Sequence, residues 1–155
     1  MFGSGRASLE VYRPLLVEYQ HGDCFYCLRP LKDRSDVDHF IPWSHYTVDF
    51  GHNFVLAQGT CNAKKAGRLA ATEHLEKWCE RNERYGEELA ETFQERNIVH
   101  DQKASQRVTR WAYKQALRGK PQTSVTLTVT HHEIPLLIIT CKFIHKLGEW
   151  IGFAN

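Results

Sequence analysis

Three polar residues in the first half of the sequence, Asp38, His39 and Asn62, have side chains suited to phosphodiester hydrolysis. Such hydrolysis needs a base that deprotonates water near neutral pH, and histidine is the side chain whose ordinary pKa suits that task. It also needs positive charge at the phosphate, which a divalent metal ion held by carboxylate and amide oxygens supplies. The sequence therefore offers the groups of a minimal hydrolytic metal site.

Two short strands and a helix are predicted around these residues. The apolar segments 37–41 and 53–57 are typical of short strands. Between them lies a loop of about ten residues, long enough to suggest a functional role. Residues 62–71 then predict a helix. These are the elements that must position the three groups.

The placement of the polar residues within these elements decides whether they can meet. Adjacent strand residues point to opposite faces, so Asp38 and His39 can serve one site only if the strand ends or bends there. Pro42 is consistent with such an end, because proline interrupts regular pairing. Asn62 opens the predicted helix and could project back over the strands. Asn53 begins the second strand and could bind backbone groups that hold the loop closed.

Three motifs at these positions resemble the HNH (ββα-metal) endonuclease family. They are Val37-Asp-His-Phe-Ile-Pro42, His52-Asn-Phe-Val-Leu56 and Cys61-Asn-Ala-Lys-Lys65. The resemblance covers residues 22–70, under half of the 155-residue chain. It implies a ββα-metal, treble-clef-like core and a metal-dependent endonuclease that hydrolyses DNA.

The resemblance also implies a role for each residue. Asp38 and Asn62 would hold a catalytic Mg²⁺ or Mn²⁺ ion, and His39 would be the general base. Asn53 would brace the loop around that base, and Lys65 would lie near the scissile phosphate. The competing interpretation is that His39 is an ordinary hydrogen-bonded histidine and Asp38 a turn residue.

The cysteines are Cys24, Cys27, Cys61, Cys79 and Cys141. An odd count without an apolar leader predicts a reducing, intracellular setting. The expected location is the cytoplasm, and the expected origin is bacterial or phage. The tight spacing of Cys24 and Cys27 favours metal binding over disulfide bonds. Cys79, on an apolar helical face, and Cys141, in an apolar tail, are interpreted as core residues.

A structural zinc site is a further implication of the resemblance, and this sequence departs from it at one position. The matching ligands are Cys24, Cys27 and Cys61, but Gln58 occupies the fourth position. Zinc prefers thiolate and imidazole ligands, so an amide is a poor substitute. Three alternatives stay open: a histidine such as His21 or His52 completes the site, a water completes it, or the thiols are buried without metal.

Basic residues indicate two surfaces for nucleic acid. One lies beside the expected metal and consists of Lys64, Lys65 and Arg68. The other is a stripe at helical spacing, which contains Lys103, Arg107, Arg110, Lys114 and Arg118. This stripe has a competing interpretation, because residues 73–95 carry eight glutamates with which it could pair. The net charge of +2 is too small to imply nucleic acid by itself.

The remaining sequence predicts three further helices, over residues 8–20, 73–96 and 102–118. Pro14 argues against an uninterrupted first helix, Thr72 is a candidate N-cap, and Gly86 could break the second helix. Residues 125–130 alternate and 134–140 are apolar, which predicts a C-terminal β segment. The fold class expected is α+β, with a ββα-metal core, flanking helices and this β segment.

Four parts are expected along the chain: an N-terminal tail and helix (1–21), an HNH core (22–72), a helical extension (73–121) and a strand-rich tail (122–155). The expected partner is double-stranded DNA, and a protein partner or second copy could bind the helical or C-terminal region. No membrane association is expected, because the apolar runs are far shorter than the ~20 residues of a membrane helix. The rival function is a non-catalytic, zinc-finger-like module that binds nucleic acid or protein.

Overall fold

The computed structural model describes residues 9–32, 34–44 and 48–118. The C-terminal β segment expected over residues 122–155, including Cys141, lies outside these ranges. The chain forms two compact units, Met1–Ser105 and Gln106–Asn155. The described residues combine helices with a two-stranded antiparallel sheet, which confirms the α+β class. Within them no helix is long and apolar enough to cross a membrane.

Two antiparallel strands form the sheet, β1 over Ser35–His39 and β2 over Phe54–Gln58. Strand β1 begins two residues earlier than the sequence predicted and ends at His39, which lies opposite Phe54. It does not reach Ile41, because the side chain of Asn53 takes both backbone groups of Ile41 in place of a neighbouring strand. The polar pair therefore lies at the end of the strand.

The first helix, α1, spans Arg13–Tyr19 and follows a single 3₁₀ turn over Glu10–Tyr12. Pro14 therefore lies in the first turn of α1. The N–H groups of a first turn have no intrahelical acceptor, so proline, which lacks an N–H, removes no hydrogen bond there. Pro14 therefore argues only against a helix that begins earlier.

Helix α2 spans Gly59–Lys65, so the sequence prediction of residues 62–71 was wrong at both ends. The helix begins earlier, directly after β2. It ends because Ala66 adopts a left-handed conformation, with φ of 48°, in which its N–H still bonds to the carbonyl of Asn62. The guanidinium of Arg68 then donates to carbonyl oxygens of the last turn, which stabilises this end.

Helix α3 spans Thr72–Glu95, and helix α4 spans Gln102–Arg118 as the sequence predicted. Thr72 is the first helical residue rather than the N-cap, a position that Ala71 occupies without a side-chain hydrogen bond. Gly86 does not break α3. It is buried where a Cβ atom would come within 2.2 Å of the Gln102 side chain, so glycine permits this close approach.

The core of the first unit lies between α1, β2 and α3. Tyr12 packs against Phe54 with ring centroids 4.2 Å apart, and Phe93 of α3 closes the same cluster. A second apolar contact joins the loop after β1 to α3, where Phe40 stacks on Trp78 at 5.3 Å. Burial of these large side chains fixes β2 against α3, and therefore fixes the end of β1 that pairs with it.

Candidate active site

Asp38 is a buried carboxylate at the end of β1 with two fixed partners. The hydroxyl of Tyr26 donates to Oδ2 over 2.6 Å. The ammonium of Lys65, at the end of α2, lies 3.2 Å from the same oxygen and donates to the His39 carbonyl over 2.8 Å. Burial lowers the pKa of Lys65, although the charge of Asp38 opposes that shift. Lys65 therefore joins α2 to the end of β1.

His39 follows Asp38 at the end of β1, and its imidazole contacts a carboxylate from the loop. Its Nε2 atom lies 2.7 Å from Oδ1 of Asp49, and its ring centroid lies 4.7 Å from that of Phe54. A carboxylate only accepts hydrogen bonds, so the neutral imidazole carries its proton on Nε2 and its lone pair on Nδ1. A ring in this form can take a proton through Nδ1.

Asn62 lies on α2, one turn before Lys65, and its side chain also faces β1. Its Nδ2 atom donates to Oδ2 of Asp36 over 3.1 Å. Asp36 and Asp38 share one face of β1, because they are two residues apart in a strand. The structure thus pairs Asn62 with Asp36 and Lys65 with Asp38. With its nitrogen committed to Asp36, the amide of Asn62 keeps Oδ1 as a ligand atom.

Asn53 ties together the two ends of the loop between the strands. Its Oδ1 accepts from the backbone N–H of Ile41 over 2.8 Å, and its Nδ2 donates to the carbonyl of Ile41 over 3.1 Å. Its own carbonyl accepts from the N–H of Phe40. These contacts are buried, so they hold the chain directly after His39 in one conformation.

The donor chemistry around Asp38 fits a hard divalent cation. A carboxylate oxygen of Asp38 and the amide oxygen of Asn62 are the ligand types that Mg²⁺ accepts, with water in its other positions. Each carboxylate oxygen can accept two hydrogen bonds or ligand contacts, so Tyr26 and Lys65 do not exhaust Asp38.

A second cluster forms where the turn after α1 meets α2. The Sγ atoms of Cys24, Cys27 and Cys61 lie within 4.8 Å of one another, as a metal ion would require. The sulfur of Cys24 also accepts from the backbone N–H of Gln58 at 3.3 Å. The Gln58 side chain is engaged elsewhere, since its Nε2 donates to the Pro30 carbonyl over 2.9 Å.

The surroundings of the cluster shift the pKa values of Cys27 and Cys61 in opposite directions. Burial raises the pKa of Cys27, but the backbone of Arg29 and the neighbouring thiols outweigh burial and bring it below its usual value. Burial, reinforced by the other thiols, raises the pKa of Cys61 to about 12. Neither His21 nor His52 belongs to this cluster, and Nε2 of His52 contacts the Gly86 carbonyl instead.

The residues proposed to bind nucleic acid have varied surroundings. Lys64 is exposed on α2, and Arg68 is exposed while it caps that helix. In the second unit, α4 exposes Arg107 and Arg110 and partly buries Lys114.

Cys79, expected in the core, is half-buried on α3, where burial raises its pKa to about 12. In the loop between the strands Trp43 is exposed, whereas His45 and Tyr46 lie outside the described residues.

The sequence analysis missed three residues of the site: Tyr26, Asp36 and Asp49. Asp36 had a detectable signal, because it lies two residues before Asp38 and must share its face of the strand. Tyr26 and Asp49 had none, since their contacts with Asp38 and His39 depend on how two irregular segments fold onto the end of β1.

Residues 24–71 match the family model described as HNH endonuclease. This segment is similar to the HNH endonuclease family. The match contains both strands, α2, the three clustered cysteines and the polar residues around Asp38, and it spans under half of the chain. The recognition made from the motifs is therefore confirmed. The family indicates a nuclease-type function and a nucleic acid substrate. No curated protein matches the chain.

Proposed function

We propose that this chain is a metal-dependent endonuclease that hydrolyses phosphodiester bonds in double-stranded DNA. One observation carries the proposal: within the HNH segment, His39 and Asp38 lie side by side at the end of β1 while Asn62 faces that strand from α2. A base and two oxygen ligands on one small scaffold form the minimal apparatus for hydrolysis.

Each residue has a separate task in this mechanism. His39 takes a proton from the attacking water through Nδ1, because Nε2 is engaged with Asp49. Asp38 and Asn62 hold a Mg²⁺ or Mn²⁺ ion, which supplies charge stabilisation at the phosphate and the leaving oxygen when it is bound. Tyr26 fixes the Asp38 carboxylate, and the hydrogen bonds of Asn53 keep the chain after His39 in place.

Exposed positive charge near this site supports the choice of nucleic acid as substrate. Lys64 and Arg68 flank the end of α2, close in sequence to Asn62, and we propose that they contact the phosphate backbone. Lys65 is better placed to balance the charge of Asp38 than to meet solvent. Arg107, Arg110 and Lys114 on α4 form a second proposed contact surface.

Plasmid nicking with Mg²⁺ or Mn²⁺ tests the proposal directly. We expect the chain to convert supercoiled plasmid to the open-circular form. His39→Ala should slow nicking about 100-fold or more, because a positioned general base contributes roughly 10² to 10⁴ to the rate. Glu91→Gln, an exposed change on α3, is the matched surface control and should leave the rate unchanged.

Two outcomes of that assay contradict the proposal. One is an inactive chain in every divalent metal, and the other is equal activity in the parent chain and His39→Ala. Either result favours the rival function, a non-catalytic module that binds nucleic acid or protein. The ion pair between Lys65 and Asp38 is the observation that favours the rival, because it gives Asp38 a structural task.

We also propose that the three-cysteine cluster holds a structural Zn²⁺ ion. Three thiolates are strong zinc ligands, and the backbone N–H that Gln58 donates to Cys24 is a contact that a thiolate favours. Water is the proposed fourth ligand, because His21 and His52 lie outside the cluster and zinc prefers thiolate and imidazole to the amide of Gln58. Elemental analysis should give about one zinc per chain, and Cys27→Ser should reduce it. A ratio near zero in the parent chain would reject the site.

A further inference from the structure

The loop carboxylate of Asp49 lies within hydrogen-bond distance of the imidazole of the proposed base, His39. We infer that Asp49 is a positioning residue that holds the His39 ring with its proton on Nε2. The inference rests on the proposed nuclease function, since it assigns a task to a residue that acts through the base. Nothing in the sequence motifs marks Asp49, which lies four residues before Asn53 in the loop.

The chemistry of the contact determines which nitrogen can act. A neutral imidazole has one N–H and one lone pair, so fixing either nitrogen fixes the other. Oδ1 of Asp49 lies 2.7 Å from Nε2, within the range of a strong hydrogen bond to a carboxylate. The lone pair then lies on Nδ1 throughout the approach of water, and the ring does not need to flip or exchange its proton before reaction.

The surroundings hold both partners in this geometry. Phe54 packs against the ring of His39, with centroids 4.7 Å apart. The segment that carries Asp49 is fixed by backbone hydrogen bonds, from Phe50 N–H to the Val48 carbonyl and from Gly51 N–H to the Val99 carbonyl. The side chain of Asp49 is partly exposed, at 43%, while that of His39 is 19% exposed, so the contact lies at the edge of the site.

The negative charge of Asp49 also affects the pKa of Tyr12. Burial raises the pKa of Tyr12 to about 12, and the negative charge of Asp49 adds to that shift. Asp49 therefore lies close enough to Tyr12 for its negative charge to act on that hydroxyl.

Kinetics of Asp49→Ala and Asp49→Glu give the first test. We expect Asp49→Ala to lower kcat roughly 10- to 100-fold, comparable to the loss when an outer partner of a metal-bound histidine is removed. KM should change less than about twofold, because Asp49 does not bind substrate. Asp49→Glu restores the carboxylate and should recover part of the loss. Glu91→Gln, which removes an exposed negative charge elsewhere, should have no effect.

A double-variant comparison separates positioning from a general structural effect. In a chain that already carries His39→Ala, Asp49→Ala should cause no further loss, because the residue through which it acts is gone. An unchanged kcat in Asp49→Ala would overturn the inference. So would a loss of the same size with and without His39.

Nuclear magnetic resonance of chain labelled with ¹⁵N at histidine tests the contact without any activity. A hydrogen bond to Asp49 slows proton exchange, so the Nε2–H proton of His39 should be observed directly in the parent chain and be lost in Asp49→Ala. The same resonance in both chains would overturn the inference. If the parent chain does not nick DNA, the proposed function fails, and this spectrum still decides whether Asp49 orients His39.

Discussion

Each polar side chain of the candidate site is oriented by a specific partner. Tyr26 contacts Asp38, Asp36 accepts from Asn62, and Asn53 binds the backbone after the strand. Such partners matter because a catalytic group displaced by even 1 Å can lose much of its effect. At the scale of single residues, the site therefore depends on neighbours that carry no chemistry themselves.

Asn53→Ala tests this dependence. The change leaves the buried N–H and carbonyl of Ile41 without their partners, and each unsatisfied group costs about 1–3 kcal/mol. We expect the free energy of unfolding to fall by about 2–4 kcal/mol, measured by urea denaturation. Asn53→Asp is the matched control, since it retains the acceptor for Ile41 N–H but loses the donor. A fall below 1 kcal/mol in Asn53→Ala would contradict the bracing role.

At the scale of elements, helix α3 holds the turn that leads into β2. The buried guanidinium of Arg81 donates to the carbonyls of Phe54 and His52, over 2.8 and 2.7 Å. The indole N–H of Trp78 donates to the His52 carbonyl as well. Burial lowers the pKa of Arg81 to about 10. This helix, which lies outside the HNH match, therefore fixes the strand against which His39 is paired.

Arg81→Lys should be poorly tolerated, because a lysine ammonium cannot reproduce the fork that reaches two carbonyls. We expect a loss of about 3 kcal/mol in unfolding free energy, seen as a fall of roughly 6 to 12 °C in Tm. Arg84→Lys is the matched control on the same helix, since Arg84 is exposed, and it should change stability by less than about 0.5 kcal/mol. Equal Tm values for the two variants would show that Arg81 is not the residue by which α3 holds the turn before β2.

At the scale of the whole molecule, two histidines, the buried His52 and the half-buried His74, make stability depend on pH. Burial lowers the pKa of His52 and of His74 to about 4. Their Nδ1 atoms have no hydrogen-bond partner within the described part of the chain. Both side chains are therefore neutral in the folded state, whereas in the unfolded state each gains a proton below its ordinary pKa of about 6.5.

The unfolded chain binds more protons than the folded chain between about pH 6.5 and pH 4, so stability should fall as the pH falls through this window. Above about pH 6.5 these two histidines do not reduce the stability of the folded chain. From pH 7.5 to 5.5 we expect a loss of about 1 kcal/mol for each histidine, measured by urea denaturation at both values. His74→Gln should show a smaller loss. A free energy of unfolding that does not change with pH would contradict the neutral state of these side chains in the folded chain.

The sequence alone was sufficient for the local features. The Asp38-His39 pair, the two asparagines and Lys65 lie in short motifs whose spacing identified the family, and the extent of α4 follows from its helical periodicity. Spacing along the chain is a local property, and the sequence contains it in full. The ends of β1 and α2 were less predictable, because the side chain of Asn53 and the left-handed Ala66 end them.

Only the tertiary structure decided which groups meet across the chain. Asp49 reaches His39, Asp36 rather than Asp38 accepts from Asn62, Lys65 pairs with Asp38, and the Gln58 side chain turns to Pro30. These contacts depend on packing between segments that are far apart in sequence or lack periodicity. No local sequence pattern encodes such packing. The chemistry of the site could therefore be inferred from the sequence, whereas the partners that orient it required the fold.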